Sequence, residues 1–235
     1  MPDASNSKIV IINRALVHCK VDTISSLDEN SQAARLARLF YDNCRTSVLR
    51  GCDWRFATVK KAMTLLGSVD VAAAYPDDQS KQDFIPQWGY TYAYPTSCVR
   101  VRKVFNAQNH VDVTPWNDRT ILDRSNKVNL FEIARSPITD QMAVACNFPD
   151  AWAEVTKDIT DESQFDNLFV DALAWDLAKE LCIPLTSDYD LKKDIDNEAL
   201  TSMNEAKRKN GGEGIEMAPR QSNYENVRQG YDLPY

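Results

Sequence analysis

The apolar positions at the start of the chain fall into helical register. Ile9, Ile12, Leu16 and Cys19 recur at spacings of 3, 4 and 3, which lines one face of a short helix. Residues 20–25 read as a linker. Ser26 stands three positions before Glu29, the spacing of a capping box, and predicts the start of a second, longer helix. Along it Ala33, Leu36, Phe40, Cys44 and Val48 form an apolar stripe with Leu39 beside it, while Arg35, Arg38, Asp42 and Arg45 face away. Gly51 sits where a C′ glycine ends a helix. Trp54 and Phe56 then enter the core or a strand.

From about residue 55 to 159 the pattern shortens. Prolines recur at 76, 86, 95, 115, 137 and 149. Between them lie β-branched or aromatic runs at 90–94, 98–105, 128–133, 143–148 and 151–159. Several alternate: Val99, Val101 and either Val104 or Phe105 oppose Arg100, Arg102 and Lys103. Short alternating runs with turns between them predict an antiparallel β unit. Residues 60–66 fit strand or helix equally, because periodicity does not separate the two there.

Helical spacing returns in the last third. Asp161 or Ser163 can cap a helix carrying Phe165, Leu168, Phe169, Ala172, Trp175 and Leu181, ending at Ile183 before Pro184. Ser187, with Asp190 three residues on, opens another, in which Leu191, Ile195, Ala199, Met203 and Ala206 recur at spacings of 4, 4, 4 and 3. Residues 211–235 hold four of the seven glycines and no helical period, which reads as a tail. The expected fold is therefore α+β. Helices in 1–54 and 160–210 form one bundle, an antiparallel β domain spans 55–159, and a flexible tail covers 211–235.

Charge narrows the partners. The net charge is −7 and the isoelectric point about 4.9. Wrapping duplex nucleic acid needs clustered Lys and Arg, so an acidic chain argues against it. An acidic wall does suit a channel through which DNA slides without sticking. The six cysteines, at 19, 44, 52, 98, 146 and 182, include no CxxC and read as reduced core fillers. No apolar run is long enough to span a membrane, and residues 1–12 do not form a signal peptide.

Candidate chemistry is sparse. His18 beside Cys19 suggests a dyad, but neighbours on a helix point about 100° apart, so both read as structural. Asp158, Asp161, Glu162 and Asp166 lack the spacing of a calcium loop, and a helix start favours carboxylates in any case. The GGEG of the tail lacks the Lys-Ser/Thr of a phosphate loop. No catalytic residue, metal ligand or cofactor site is expected.

Two stretches carry a resemblance: INRAL, at 12–16, and ISSLDENSQAARLARLFYDNCRTSVLRGCDWRFA, at 24–57. They resemble the head-to-tail connector adaptors of tailed bacteriophages, above all the tail tubular protein A family of short-tailed phages. That pattern has an Asn-containing first helix, a Ser-Leu-Asp-Glu start to the second, an Arg-rich long helix, and a Trp followed by Phe-Ala. YTYAYPTSCVRVRKVF at 90–105, the Ala-Trp-x-Leu-Ala-x-x-Leu helix and the closing Glu-Ala-Lys-Arg fit as well. The resemblance covers roughly 9–210, and residues 211–235 have no counterpart in it.

What the resemblance implies is a non-enzymatic virion protein of the phage neck, made in the host cytoplasm. Such adaptors form a ring, typically of twelve subunits, between portal and tail nozzle, and extend the channel for DNA ejection. On that reading Ile215, Met217, Tyr224, Tyr231, Leu233 and Tyr235 anchor the tail on the portal or a neighbouring adaptor. Arg35, Arg38, Arg45 and Arg50 bridge to the adjacent subunit or form a solvated face. Trp88 and Trp116 sit on loops toward the tail nozzle. The partners are the homo-oligomeric ring, the portal, the nozzle and passing DNA, with no membrane. Two rival readings are a head completion or other neck protein of a long-tailed phage, and a cell-wall hydrolase using paired carboxylates.

Overall fold

The computed structural model describes residues 7–74, 76–78, 83–85, 87–106 and 131–212. The six tail anchors, Trp116 and the 128–130 start of one expected strand lie outside the described residues. The elements run α1 (Lys8–His18), α2 (Gln32–Gly51), β1 (Thr58–Ala62), β2 (Leu65–Ser68), α3 (Val69–Ala74), β3 (Tyr90–Ala93) and β4 (Cys98–Asn106). They continue with β5 (Phe131–Arg135), β6 (Met142–Cys146), β7 (Ala151–Lys157), α4 (Asn167–Thr186) and α5 (Tyr189–Gly212). Helix and antiparallel sheet thus coexist as an α+β fold.

α4 is the central helix, and α1, α2 and α5 all pack against it. Phe169, Leu173, Leu177 and Leu181 of α4 are fully buried, as are Ile11, Ile12 and Leu16 of α1. The link between α1 and α2 is fixed from α1: Asn13 donates from Nδ2 to the Ile24 carbonyl (3.0 Å) and accepts the Ile24 N–H at Oδ1 (2.9 Å). One side chain thereby satisfies both backbone groups of a buried linker residue.

Local details correct five expectations, the last being that Ser187 opens α5. α2 begins at Gln32, six residues after Ser26. Ser31 caps it, its hydroxyl accepting the Ala34 N–H, while Ser26 and Glu29 close a separate turn onto Asp28 and Ser25. The buried face of α2 keeps Ala33, Cys44 and Val48 of the expected stripe but is shifted by one position at its centre: Ala34, Ala37, Tyr41 and Arg45 are buried while Leu36 and Phe40 are only partly so, and Arg45 faces inward. Gly51 is the last helical residue rather than a C′ residue; a Cβ there would lie 3.3 Å from the Met203 methyl of α5. α4 continues through Pro184 to Thr186, where Ser187 in the left-handed region (φ 55°) stops it and Asp188 caps α5. A proline in a last turn forfeits one backbone bond only, which explains why the helix survives it.

Two antiparallel sheets build the β unit, ordered β1-β7-β4 and β2-β3-β6-β5. Residues 60–66, ambiguous in sequence, span two strands joined at Met63–Thr64. Tyr92, Val144 and Cys146 of the larger sheet meet Val101, Val104, Ala153 and Val155 of the smaller one in a shared apolar layer. The Tyr92 hydroxyl lies 2.6 Å from the carbonyls of both Phe148 and Pro149 and donates its one proton there, tying the β6–β7 turn to β3.

At the β2 edge, Gly67 is a contact requirement. An added Cβ would stand 2.3 Å from the Asp83 carbonyl oxygen and 2.8 Å from its carbon, both backbone. Gly67→Ala should push the 83–85 stretch off the edge and cost about 1–3 kcal/mol, the range for overpacking. A urea midpoint equal to that of the parent would refute this.

Candidate functional site

β7 decides where the charged residues go. Ala151, Ala153 and Val155 face the other sheet, so Trp152, Glu154 and Thr156 face outward. Their partners share that face: Thr58, Lys60 and Ala62 on β1, and Arg100, Lys103 and Phe105 on β4. A bulge in β4 between Val101 and Lys103 inserts Arg102. It brings Arg102 and Lys103 onto the same side and returns Val104, not Phe105, to the core. That resolves the Val104/Phe105 ambiguity of the sequence.

This outward face floors a cleft of about 800 Å³, walled by the end of α2, the 3₁₀ turn Arg55–Ala57 and the last turns of α5. Asn210 fastens the walls: its Nδ2 donates to the Asp53 carbonyl (2.5 Å), its Oδ1 accepts the Arg55 N–H (3.2 Å), and its carbonyl accepts from Arg55 Nε (3.2 Å). Asp53 holds two guanidinium groups, Arg100 at 2.7 Å and Arg102 at 2.9 Å. Arg100 also donates to the Arg50 carbonyl (2.9 Å) and Arg102 to the Thr58 hydroxyl (2.5 Å). Arg102 Nε is buried without a hydrogen-bond partner among the described residues.

Among the described residues six cations line the cleft, namely Arg55, Lys60, Arg100, Arg102, Lys103 and Lys207, against the two carboxylates Asp53 and Glu154. Both carboxylates are already occupied by Arg100 and Arg102. Lys60 leans over the Phe105 ring at 5.6 Å, and Trp152 is partly exposed beside it across the strand pair. What the cleft offers is recognition: ammonium groups and forked guanidinium donors suited to carboxylate or phosphate, with an aromatic edge. It is a local inversion of sign in a chain of net charge −7.

The sequence-derived candidates scatter around this cleft. Arg35 and Arg38 are exposed on α2, and Arg35 reaches Asn30 (3.2 Å). Arg50 is exposed at the cleft rim. Arg45 is only 4% exposed and is consumed within the chain, with an ion pair to Asp158 and a hydrogen bond to the Ile159 carbonyl (2.7 Å). Trp88 is half-buried and donates to Glu132 (2.6 Å).

The carboxylates at 158–166 serve separately. Asp161 accepts from the Ser163 N–H and hydroxyl, which hold its carboxyl below the usual range, and Asp166 caps α4. Glu162 accepts from the Tyr41 hydroxyl (3.3 Å). His18 and Cys19 do not form a dyad. The Cys19 thiol donates to the Ala178 carbonyl (3.3 Å), and burial pushes its pKa up to about 12. All six thiols are free, and five are buried. Among the described residues no group of three or more His, Cys, Asp or Glu is placed to hold a metal ion, and no helix is long and apolar enough to cross a membrane.

His18 stacks flat on Trp175 with ring centroids 3.6 Å apart. Burial, helped by the Arg14 charge, pulls its pKa below 6.5, while Asp171 and Glu198 oppose this. A depressed histidine pKa means the unfolded chain binds more protons. The stability tied to neutral His18 is therefore complete above pH 6.5 and is lost as pH falls from 6.5 through the native value. His18→Phe should keep the stack and flatten that part of the stability–pH curve. An unchanged slope in urea melts across this window would count against it.

No protein-family model matches this chain, and no curated protein matches it at a significant level.

Proposed function

We propose that this chain is a structural virion protein, a ring-forming head-to-tail adaptor that joins the portal to the tail nozzle and extends the DNA channel. Helices from both ends of the sequence form one bundle, with the antiparallel β unit inserted between them. Twelve copies make the ring. The bundle and residues 211–235 dock on the portal, and the β unit meets the nozzle.

One observation carries this reading: the residues that make up the resemblance are the ones that assemble the helical layer. Asn13 of INRAL clamps the linker at Ile24, and Ile12, Ala15 and Leu16 beside it are fully buried. Trp54 and Ala57 of the DWRFA stretch are fully buried against α4, and Trp175 covers His18. A sequence pattern built from framework positions supports a shared framework, and the order of those positions along 9–210 supports a shared role.

The test is native mass spectrometry or sedimentation of the full chain with its portal, alongside a chain ending at Asn210. A ring of about twelve copies on the portal, weakened by the truncation, supports the adaptor with its tail as a clamp. A full chain that stays monomeric and ignores the portal sinks the proposal.

A further inference from the structure

We infer that the basic cleft is the receiving half of a head-to-tail contact between copies of this chain, and that it takes the acidic start of α5 from a second copy. The inference rests on the ring-forming reading and names the two surfaces that would close the ring.

The donor surface lies on described, exposed residues. Within 188–198 stand Asp188, Asp190, Asp194, Asp196 and Glu198 against Lys192 and Lys193. Asp190, Asp194 and Glu198 recur every four residues along one exposed line. Asp190 is favoured by the helix start, but Asp194 and Glu198 lie beyond the first turn, where like charges four apart destabilise an isolated helix. Only Asp190 of the three has an ion-pair partner among the described residues, Lys193 at 3.3 Å. Tyr189, at 71%, is more exposed than any other large apolar side chain described, and Leu200 on the same helix is 62% exposed. An acidic line flanked by an exposed aromatic matches a cationic cleft with Phe105 and Trp152 at its edge.

The two surfaces cannot meet within one molecule. α5 has 24 residues and spans about 36 Å at 1.5 Å per residue. Even the nearest donor carboxylate, Glu198, stands nine residues before Lys207, about 14 Å along the same rigid helix, so the contact requires a second copy. Because the patches differ, the interface is heterologous, the kind that closes rings. Two chains of net charge −7 repel at a distance, and association needs a place where the sign inverts.

The experiment compares four full-length chains: the parent, a cleft reversal (Lys103→Glu with Lys207→Glu), a donor reversal (Asp194→Lys with Glu198→Lys), and both reversals in one chain. No ion pair among the described residues uses these four side chains, and thermal melts would check that each variant folds. Self-association is read by sedimentation, and carbodiimide coupling of isotopically mixed copies identifies the contact. Each reversal should weaken association about tenfold or more, and the double reversal should recover most of it. In the parent, cross-links should join Lys103 or Lys207 of one copy to Asp190, Asp194 or Glu198 of another, and salt should suppress them.

Equal association of the cleft reversal and the parent overturns the inference, as does a parent that stays monomeric to about millimolar concentration. So does a cleft that binds an oligonucleotide while self-association ignores the reversal. A ring that still forms on the portal with both single reversals removes this contact and leaves the adaptor reading standing. Failure of the parent to join the portal removes the adaptor reading itself.

Discussion

Trp54→Ala should lower the unfolding free energy by about 3–5 kcal/mol, a large part of the 5–15 kcal/mol of an ordinary domain. Trp54 is fully buried directly after α2. Its indole N–H donates to the Val48 carbonyl (2.8 Å), one of the last carbonyls of α2, which otherwise lack partners. Its ring meets Phe169 of α4 edge-on at 5.1 Å, and Phe169 in turn contacts Phe56 at 5.2 Å and Phe165 at 4.7 Å. Truncation therefore removes apolar area, opens a cavity among aromatic rings and leaves a buried carbonyl without a donor. Trp54→Phe separates the contributions. It keeps most of the ring contact and should cost about 1–3 kcal/mol for the lost hydrogen bond and the partial void. Urea denaturation of both variants checks the order. A Phe variant as unstable as the Ala variant would assign the whole effect to the hydrogen bond and contradict the packing argument.

Elements that bury mainly one face were the readable ones, whereas α4 and β6 are buried on more than one side. β7 alternates from Ala151 to Val155 before Thr156 is buried too, and α5 keeps its 4, 4, 4, 3 spacing into a half-buried line ending at Ala206. Ends were harder. Ser26 and Glu29 have the letters of a capping box, yet Ser31 is equally good chemistry, and burial of Ala33 and Ala34 settles which serine caps. The cleft was not legible. Lys60, the 100–103 run and Lys207 lie in three separate segments, and each alone reads as a solvated face. Their convergence depends on strand register and on the β4 bulge. A doubled cation after an alternating run, as at Arg102 and Lys103, is the one local trace of that bulge.

Arg45→Ala should cost about 2–4 kcal/mol, whereas Arg35→Ala and Arg38→Ala should each stay within about 0.5 kcal/mol of the parent. All four arginines of α2 look alike in sequence, and a one-position rotation of the helix face separates them. Arg45 projects from α2 into the junction with the end of β7, where it pairs with Asp158 and donates to the Ile159 carbonyl. Its Nε lies 3.5 Å from Asp42 Oδ1 without hydrogen-bond geometry. Removing the guanidinium strands the Ile159 carbonyl beside a buried residue, and the loss of a charged donor there is the larger part of the cost. Asp158 contributes less, because its side chain is 38% exposed and turns to water when its partner goes. Arg45→Lys keeps the charge but not the planar geometry that fixes Nη1 between the Asp158 carboxylate and the Ile159 carbonyl, and should fall between the parent and Ala. A double-mutant cycle with Asp158→Ala isolates the pair. If Arg45→Ala left urea stability unchanged and weakened ring assembly instead, Arg45 would be a subunit bridge and the inward pairing would be wrong.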